Sequence, residues 1–568
     1  MPHPIDRRQF IAGLGATSFG LLLAGCGSRE ETSATPPSPA ATTGGATTVA
    51  TTEASLKKGL ADGMYGGPTG FPGAERYQYP LDSEEGRAIA ALRRLRRDGK
   101  APDTLIVQVF GFVRPQFEQG YPEGAPSLVE LFEEETGIEI ELVEVEGYQE
   151  NLRNAETRNG SFDVVMSFFE EPADFAEAGL LRPLDEYVAK YQPSWLDPVH
   201  GLSGGESTVT LVTKYSGTTY VVPLDIDPQP YFYRGDLMDS PEEQAAFADR
   251  YGRELRFPLT WDEQAEVAEF FTRPDADPPL YGDVATLAPG LGIVNWKQRF
   301  VCSGNPNLLY FKDDASANVD NEAGVRAFEE LLRSFEWHPS QALDQDFFVQ
   351  WQLMRDCAGW GGGSYPALTK LLTGGPNPSR GCGRYVRSEV SPGRVVDGAL
   401  MRRPVVTGGT YCGVNAFADR SRQEAAYLFL QWVGGARVHT WLGFSPHGVL
   451  DPHHVYALGD PYVTRNYGPQ PAEQLIRNII PRSAPSISLK GAYAYGDALS
   501  EELQKVLRKE QTPEQAAKAL QDRWDQITEE QGVETQVEAL KTFFEGFPQI
   551  RDTPGQELPV EEVSTAVS

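Results

Sequence analysis

The residues of this chain best suited to chemistry are aromatic rings and carboxylates gathered in a few short stretches. Phe112 follows the apolar run TLIVQVFG, and Phe168 and Glu170 close FDVVMSFFE. Asp225 and Asp227 follow Pro223 in YVVPLDIDPQPYFYRGDLM, and Trp296 lies in GLGIVNWKQRF. Trp360 and Tyr365 flank three glycines in GWGGGSYPAL, and Gly409 and Tyr411 stand in GGTYCGV. Flat aromatic faces stack on the C–H faces of sugar rings, and carboxylates take hydroxyl hydrogen bonds in pairs. The glycines at 361–363 and 408–409 add backbone that a ligand or an opposing part of the chain can approach closely. These ten residues are the expected ligand contacts, and the chemistry they suit is recognition of a polyhydroxylated solute.

A secreted glycoside hydrolase would carry similar equipment. The sequence has no G-x-S-x-G elbow, because Gly362–Pro366 lacks the final glycine, and it has no H-E-x-x-H and no P-loop. Binding is therefore expected rather than catalysis, with no cofactor and no metal. His447, Asp451, His453 and His454 gather in SPHGVLDPHH but lack helical i, i+4 spacing, so they are read as a surface turn.

The elements that position these residues alternate. TLIVQVFG reads as a strand, SLVELFEEETG as a helix closed by Gly137, and IEIELVEV as a strand. A polar helix follows around Tyr148 to Arg158, and FDVVMSF is a third strand. Such short alternation implies a parallel sheet with helical crossovers, in which ligands sit beyond the carboxyl ends of the strands. Thr260 to Glu263 and Thr512 to Gln515 read as capping boxes opening further helices. Residues 84–99 read as a basic amphipathic helix that docks on the body or lies near the membrane, and the tail from Asp552 reads as frayed.

The first 25 residues combine Arg7 and Arg8 with a short apolar run from Phe10 to Ala24, the pattern of an export signal rather than of a spanning helix. The arginine pair resembles a twin-arginine signal, although Sec export stays open. Leu23-Ala24-Gly25-Cys26 resembles a lipobox, making Cys26 the lipidated first residue of the mature chain. Residues 26–55 are almost all small or polar and read as a disordered tether, with an end-to-end distance of roughly 30 Å. At 40% hydrophobic and 11% aromatic, the remainder can build substantial cores. The net charge of −30 argues against nucleic acid as a partner. Cys302, Cys357, Cys382 and Cys412 allow one or two disulfides in an exported chain, with the pairing open.

Seven stretches, in this order, resemble the extracellular solute-binding proteins of ATP-binding cassette importers, in particular the sugar-binding group: LVELFEEETGIEIELVEV, GSFDVVMSF, FAEAGLLRPLDEYV, YVVPLDIDPQPYFYRGDLM, TWDEQAEVAEFF, GGTYCGVNAFADRSRQEAAYLFLQWV and TPEQAAKAL. The resemblance covers about residues 103–530. It implies an α/β fold of the two-lobed periplasmic-binding-protein kind (type II), with mixed sheets flanked by helices and a hinge between the lobes. The lobes would be 101–226 with 412–480, and 227–411 with 481–550, after an N-terminal helical extension at 56–100. Crossings are expected at Val221 to Tyr231, near Gly409 to Val414, and near Pro481 to Lys490. Glu170, Asp225 and Asp227 occupy places where relatives often carry sugar-binding acids. The insert at about 374–403 departs from the pattern and leaves ligand size open. The resemblance further implies a monomer, tethered outside the cytoplasmic membrane, that passes a sugar, oligosaccharide or polyol to the importer's membrane subunits. A polyamine or other small solute in the same fold is the alternative, suited to the paired Asp225 and Asp227. Cys26→Ser is expected to leave the chain unprocessed or released from the membrane with binding unchanged, and fractionation with lipid labelling checks this. A variant recovered lipidated in the membrane fraction would contradict it.

Overall fold

The computed structural model describes residues 59–373, 381–546 and 555–557. Cys26, the leader and the tether lie outside the described residues. Chain order supplies β1 (Thr104–Val109), β2 (Glu139–Glu144), β3 (Val164–Phe168) and β4 (Val221–Pro223) to the first lobe, then β5 (Asp227–Pro228) at the crossing. β6 (Tyr231–Arg234), β7 (Gly361–Gly363) and β8 (Val386–Glu389) follow in the second lobe. β9 (Val405–Gly408) returns, β10 (Thr410–Val414) re-enters the first lobe, and β11 (Ala484–Pro485) makes a third crossing.

The first-lobe sheet has the order β2-β1-β3-β10-β4. β1 pairs in parallel with β2 and β3, whereas β10 runs antiparallel between β3 and β4. That reversal brings the start of β10 beside the ends of β3 and β4: Thr410 faces Phe168, and Tyr411 faces Ser167 on one side and Pro223 on the other. The second lobe carries the antiparallel sheet β8-β6-β7. β5, β9 and β11 form a three-stranded ribbon in which β9 is central, antiparallel to β5 and parallel to β11. The return strand of this ribbon is Val405–Gly408, a few residues before the expected stretch.

Local signals account for much of this. Ser127 and Glu130 form a reciprocal capping box, and Gly137 ends that helix at φ 68°, a left-handed conformation that costs glycine little. Thr512 and Gln515 form the second box. Thr260 caps as expected, but Glu263 reaches the amide of Leu259 and the guanidinium of Arg256 instead of closing a box. The tail is not wholly frayed, since Gln556 and Glu557 pair antiparallel with Leu400 and Ala399. Cys357 and Cys382 form a disulfide that ties the insert to the second lobe, and Cys302 and Cys412 are free and buried. Among the described residues, no helix is long and apolar enough to cross a membrane.

The N-terminal extension is built into the first lobe. Its helix Glu84–Arg97 buries Ala88, Ile89, Ala91 and Leu92 in the same core as the helix Arg420–Val433, and full burial of Ile89 and Leu92 contributes about 2 kcal/mol each. The helix Ala436–Gly443 begins at Gly435, which has no side chain to cap it. Glu84 and Glu85 supply the missing acceptors from outside, taking the amides of Ala436 at 3.1 Å and Arg437 at 2.8 Å. A Cβ on Gly435 would stand 2.5 Å from Cγ of Glu85, so only glycine admits this contact. Tyr79 donates to Glu135, and the Trp432 indole donates to Tyr79 at 2.7 Å.

Burial, then the neighbouring Glu85, push Glu84 up to about 8, and burial pushes Glu135 up to about 7. A carboxyl whose folded pKa exceeds its unfolded value stabilises the fold below the unfolded pKa and loses that contribution as pH rises to the folded pKa. The melting temperature should therefore fall from about pH 5 to about pH 8, and Glu84→Gln, neutral throughout, should fall less steeply. Circular-dichroism melts across this range check both slopes, and equal slopes in the two proteins would contradict the assignment to Glu84.

Candidate functional site

The candidate site lies where the first-lobe strand ends meet the crossing ribbon. Phe110, Phe112 and Phe168, from the ends of β1 and β3, lie with ring planes within 13° of one another, and Phe110 and Phe168 have centroids 4.3 Å apart. Phe110 is buried and the other two are half-buried, so Phe112 and Phe168 present a flat apolar wall. Asp227, on β5, is half-buried and lies across the ribbon from Gly408. A Cβ on Gly408 would stand 2.8 Å from Oδ2 of Asp227 and 2.9 Å from Cε1 of Tyr365. The glycine thus lets a half-buried ring and a carboxylate converge. Gly409 takes φ 115°, and a side chain there would collide with the Asp225 carbonyl at 2.6 Å.

Behind Asp227 lies a dense group of charges. Asp225 is buried and accepts the amide of Asp451 at 2.9 Å. Asp451 is buried too, accepts the hydroxyl of Tyr467, and lies 3.7 Å from Nζ of Lys370. Lys370 has no exposure and donates to the carbonyls of Leu450 at 2.6 Å and Gly443 at 3.2 Å. Burial raises Asp225 and Asp227, and the mutual repulsion of Asp225, Asp227 and Asp451 raises them further. Burial lowers Lys370 against the pull of the three acids. Three carboxylates face one ammonium, so the group is short of positive charge.

The structure separates the ten expected contacts. Phe112 and Phe168 stack together past the ends of β1 and β3, and Asp227 and Tyr365 converge over Gly408, with Gly409 against the Asp225 carbonyl. Trp296 and Trp360 do not join them. Both are fully buried, Trp296 against Phe300 at 4.9 Å and Trp360 against Phe271 at 5.6 Å, each a core residue of the second lobe. Tyr411 is also fully buried and packs on Phe169, so its ring cannot serve as an exposed plate, although its hydroxyl has no partner. Glu170 accepts from Nζ of Lys297 at 2.7 Å and from the Ser486 hydroxyl, and so bridges β3 to the second-lobe helix Ile293–Val301. Its carboxylate is committed to the junction.

The surface turn expected at 447–454 is instead interior. Asp451, His453 and His454 are buried, and only His447 is half-buried. Asp451, Lys370 and Tyr467 were not among the expected contacts. They meet only in the folded chain, and no local spacing connects them.

This geometry defines a class: a two-lobed α/β fold with strands crossing between its lobes. Residues 115–355 match the family described as "Bacterial extracellular solute-binding protein". No curated protein sequence matches the chain. Among solved structures the fold is similar to the maltose-bound MalE3 of T. maritima, with TM-score 0.58 at 16% identity, covering 75% of this chain and 99% of that one. It is similar also to a ribitol complex of an ABC transporter solute-binding protein from Agrobacterium radiobacter, with TM-score 0.59 at 18% identity, covering 75% and 98%. The GacH receptor of Streptomyces glaucescens, solved unliganded and with acarbose, has TM-score 0.56 at 18% identity, covering 76% and 99%.

Lys297 has no exposure, and its removal leaves the half-buried Glu170 without its cation. Lys297→Met should cost about 3 kcal/mol of stability, and adding Glu170→Gln should recover part of that loss. Denaturant unfolding of the parent, both single variants and the double variant checks this. Additive losses in the double variant would contradict coupling through the ion pair.

Proposed function

We propose that the chain captures a carbohydrate, whether a sugar, oligosaccharide or polyol, between its lobes outside the cytoplasmic membrane and delivers it to an ABC importer, acting as a monomer held by a lipid on Cys26. The observation that carries this reading is the convergence of a half-buried carboxylate, Asp227, with the half-buried Tyr365 ring over Gly408, in a chain that also stacks Phe112 on Phe168 past its strand ends. A carboxylate in a cleft takes hydroxyl hydrogen bonds, and flat rings take the sugar's C–H faces. The ligands named for the neighbours, maltose and ribitol, are of the same chemical kind. The family match over residues 115–355 supports a transport role rather than a catalytic one.

A second reading, a polyamine ligand, is favoured by one observation: Asp225, Asp227 and Asp451 outnumber Lys370. A thermal-shift screen across sugars, polyols, polyamines and amino acids separates the two, because a ligand that binds only the native state raises the melting temperature. The account predicts a sugar or polyol as the strongest stabiliser, with affinity nearly indifferent to salt between low and physiological strength. Asp227→Asn should then lose on the order of 2 kcal/mol, roughly 30-fold in affinity, by isothermal titration. A polyamine as best ligand, with steep salt dependence, would overturn the carbohydrate reading and leave the binding role standing.

A further inference from the structure

We propose that His439, His453 and His454 form a binding site for a divalent first-row transition ion of the zinc type, built into the first lobe behind the acidic crossing. The three side chains have no exposure, and each offers a ring nitrogen within 4.8 Å of the others. The rings of His439 and His453 have centroids 4.0 Å apart, and those of His453 and His454 4.9 Å apart.

Counting protons shows what the cluster lacks. Nε2 of His439 lies 2.9 Å from the Leu224 carbonyl, and Nδ1 of His453 lies 3.2 Å from that of Asp451. His454 lies against two carbonyls, Nδ1 at 3.0 Å from His200 and Nε2 at 2.9 Å from Gly434. A carbonyl only accepts, so these four contacts call for four N–H groups, one more than three neutral imidazoles carry. None remains to join ring to ring. Nδ1 of His439 and Nε2 of His453 are accordingly lone pairs buried without a donor. Such groups carry a desolvation cost unless something electrophilic meets them.

A metal ion satisfies both lone pairs, and neutral imidazole is the ligating form. In His439 and His453 the other ring nitrogen is already held by a backbone carbonyl, the arrangement that fixes the tautomer of a metal-ligating histidine. His454 would keep one carbonyl and turn its second nitrogen to the ion. Donors that are all nitrogen favour zinc, copper, nickel or cobalt over calcium or magnesium. The charge also fits. Asp451 accepts from His453 through its carbonyl and donates its amide to Asp225, so the histidines and the acids share one stretch of backbone. A dication there offsets the two negative charges by which Asp225, Asp227 and Asp451 exceed Lys370 when all are ionised.

The test is metal analysis of the full chain produced in zinc-supplemented medium and dialysed against a chelator. The expected result is one zinc per chain, retained because the site is closed to solvent, and a stoichiometry near zero for His453→Gln. No retained zinc in the parent overturns the proposal, as does equal zinc in parent and variant. If the variant fails to fold, electron spin-echo spectroscopy of the parent loaded with Cu2+ decides instead. Modulation from at least two imidazoles supports the site, and its absence overturns it.

Discussion

A carboxylate removed from water must meet a cation or a set of hydrogen-bond donors, or else take up a proton. The junction between the two lobes is organised by that requirement. Glu170 meets Lys297 and Ser486 across the lobes. Asp451 meets Tyr467 and Lys370, and Asp225 is held by the Asp451 amide. Asp227 alone of the three crossing acids keeps partial access to solvent. The others fix the ribbon in place and Asp227 is left to interact outward. The antiparallel β10 makes this possible, because its first residues, Thr410 and Tyr411, lie at the edge where β3 and β4 end.

The same requirement governs the far side of the first lobe. A helix that starts at a bare glycine needs acceptors from elsewhere, and the extension provides Glu84 and Glu85. The cost is visible in their burial, which favours the protonated form of Glu84. The extension therefore acts as part of the lobe, its helix completing the core over Arg420–Val433 while its carboxylates complete the neighbouring helix.

What could be read from sequence was what local chemistry controls. The strands at 104–109, 139–144 and 164–168 and the helix 128–136 follow from periodicity and caps, since Ser127, Glu130 and Gly137 act within a few residues of one another. Phe112 and Phe168 were expected contacts because they follow strand ends, and Asp227 because it follows Pro223 at a crossing. Trip points came where a side chain has two possible directions. Trp296, Trp360 and Tyr411 flank the same loops, but their rings turn into cores, and nothing in their neighbours' identities distinguishes inward from outward. SPHGVLDPHH looked like a polar turn because polarity suggests exposure. Asp451 meets Lys370 and His454 meets His200, partners more than fifty residues away in the chain.

The central claim is that Asp227 and the surrounding rings hold the solute. A crystal structure with the strongest stabiliser from a ligand screen tests it most directly. The account predicts ligand density between the wall of Phe112 and Phe168 and the Tyr365 ring, with hydroxyls on the Asp227 carboxylate. Density elsewhere, with Asp227 contacting protein alone, would contradict it.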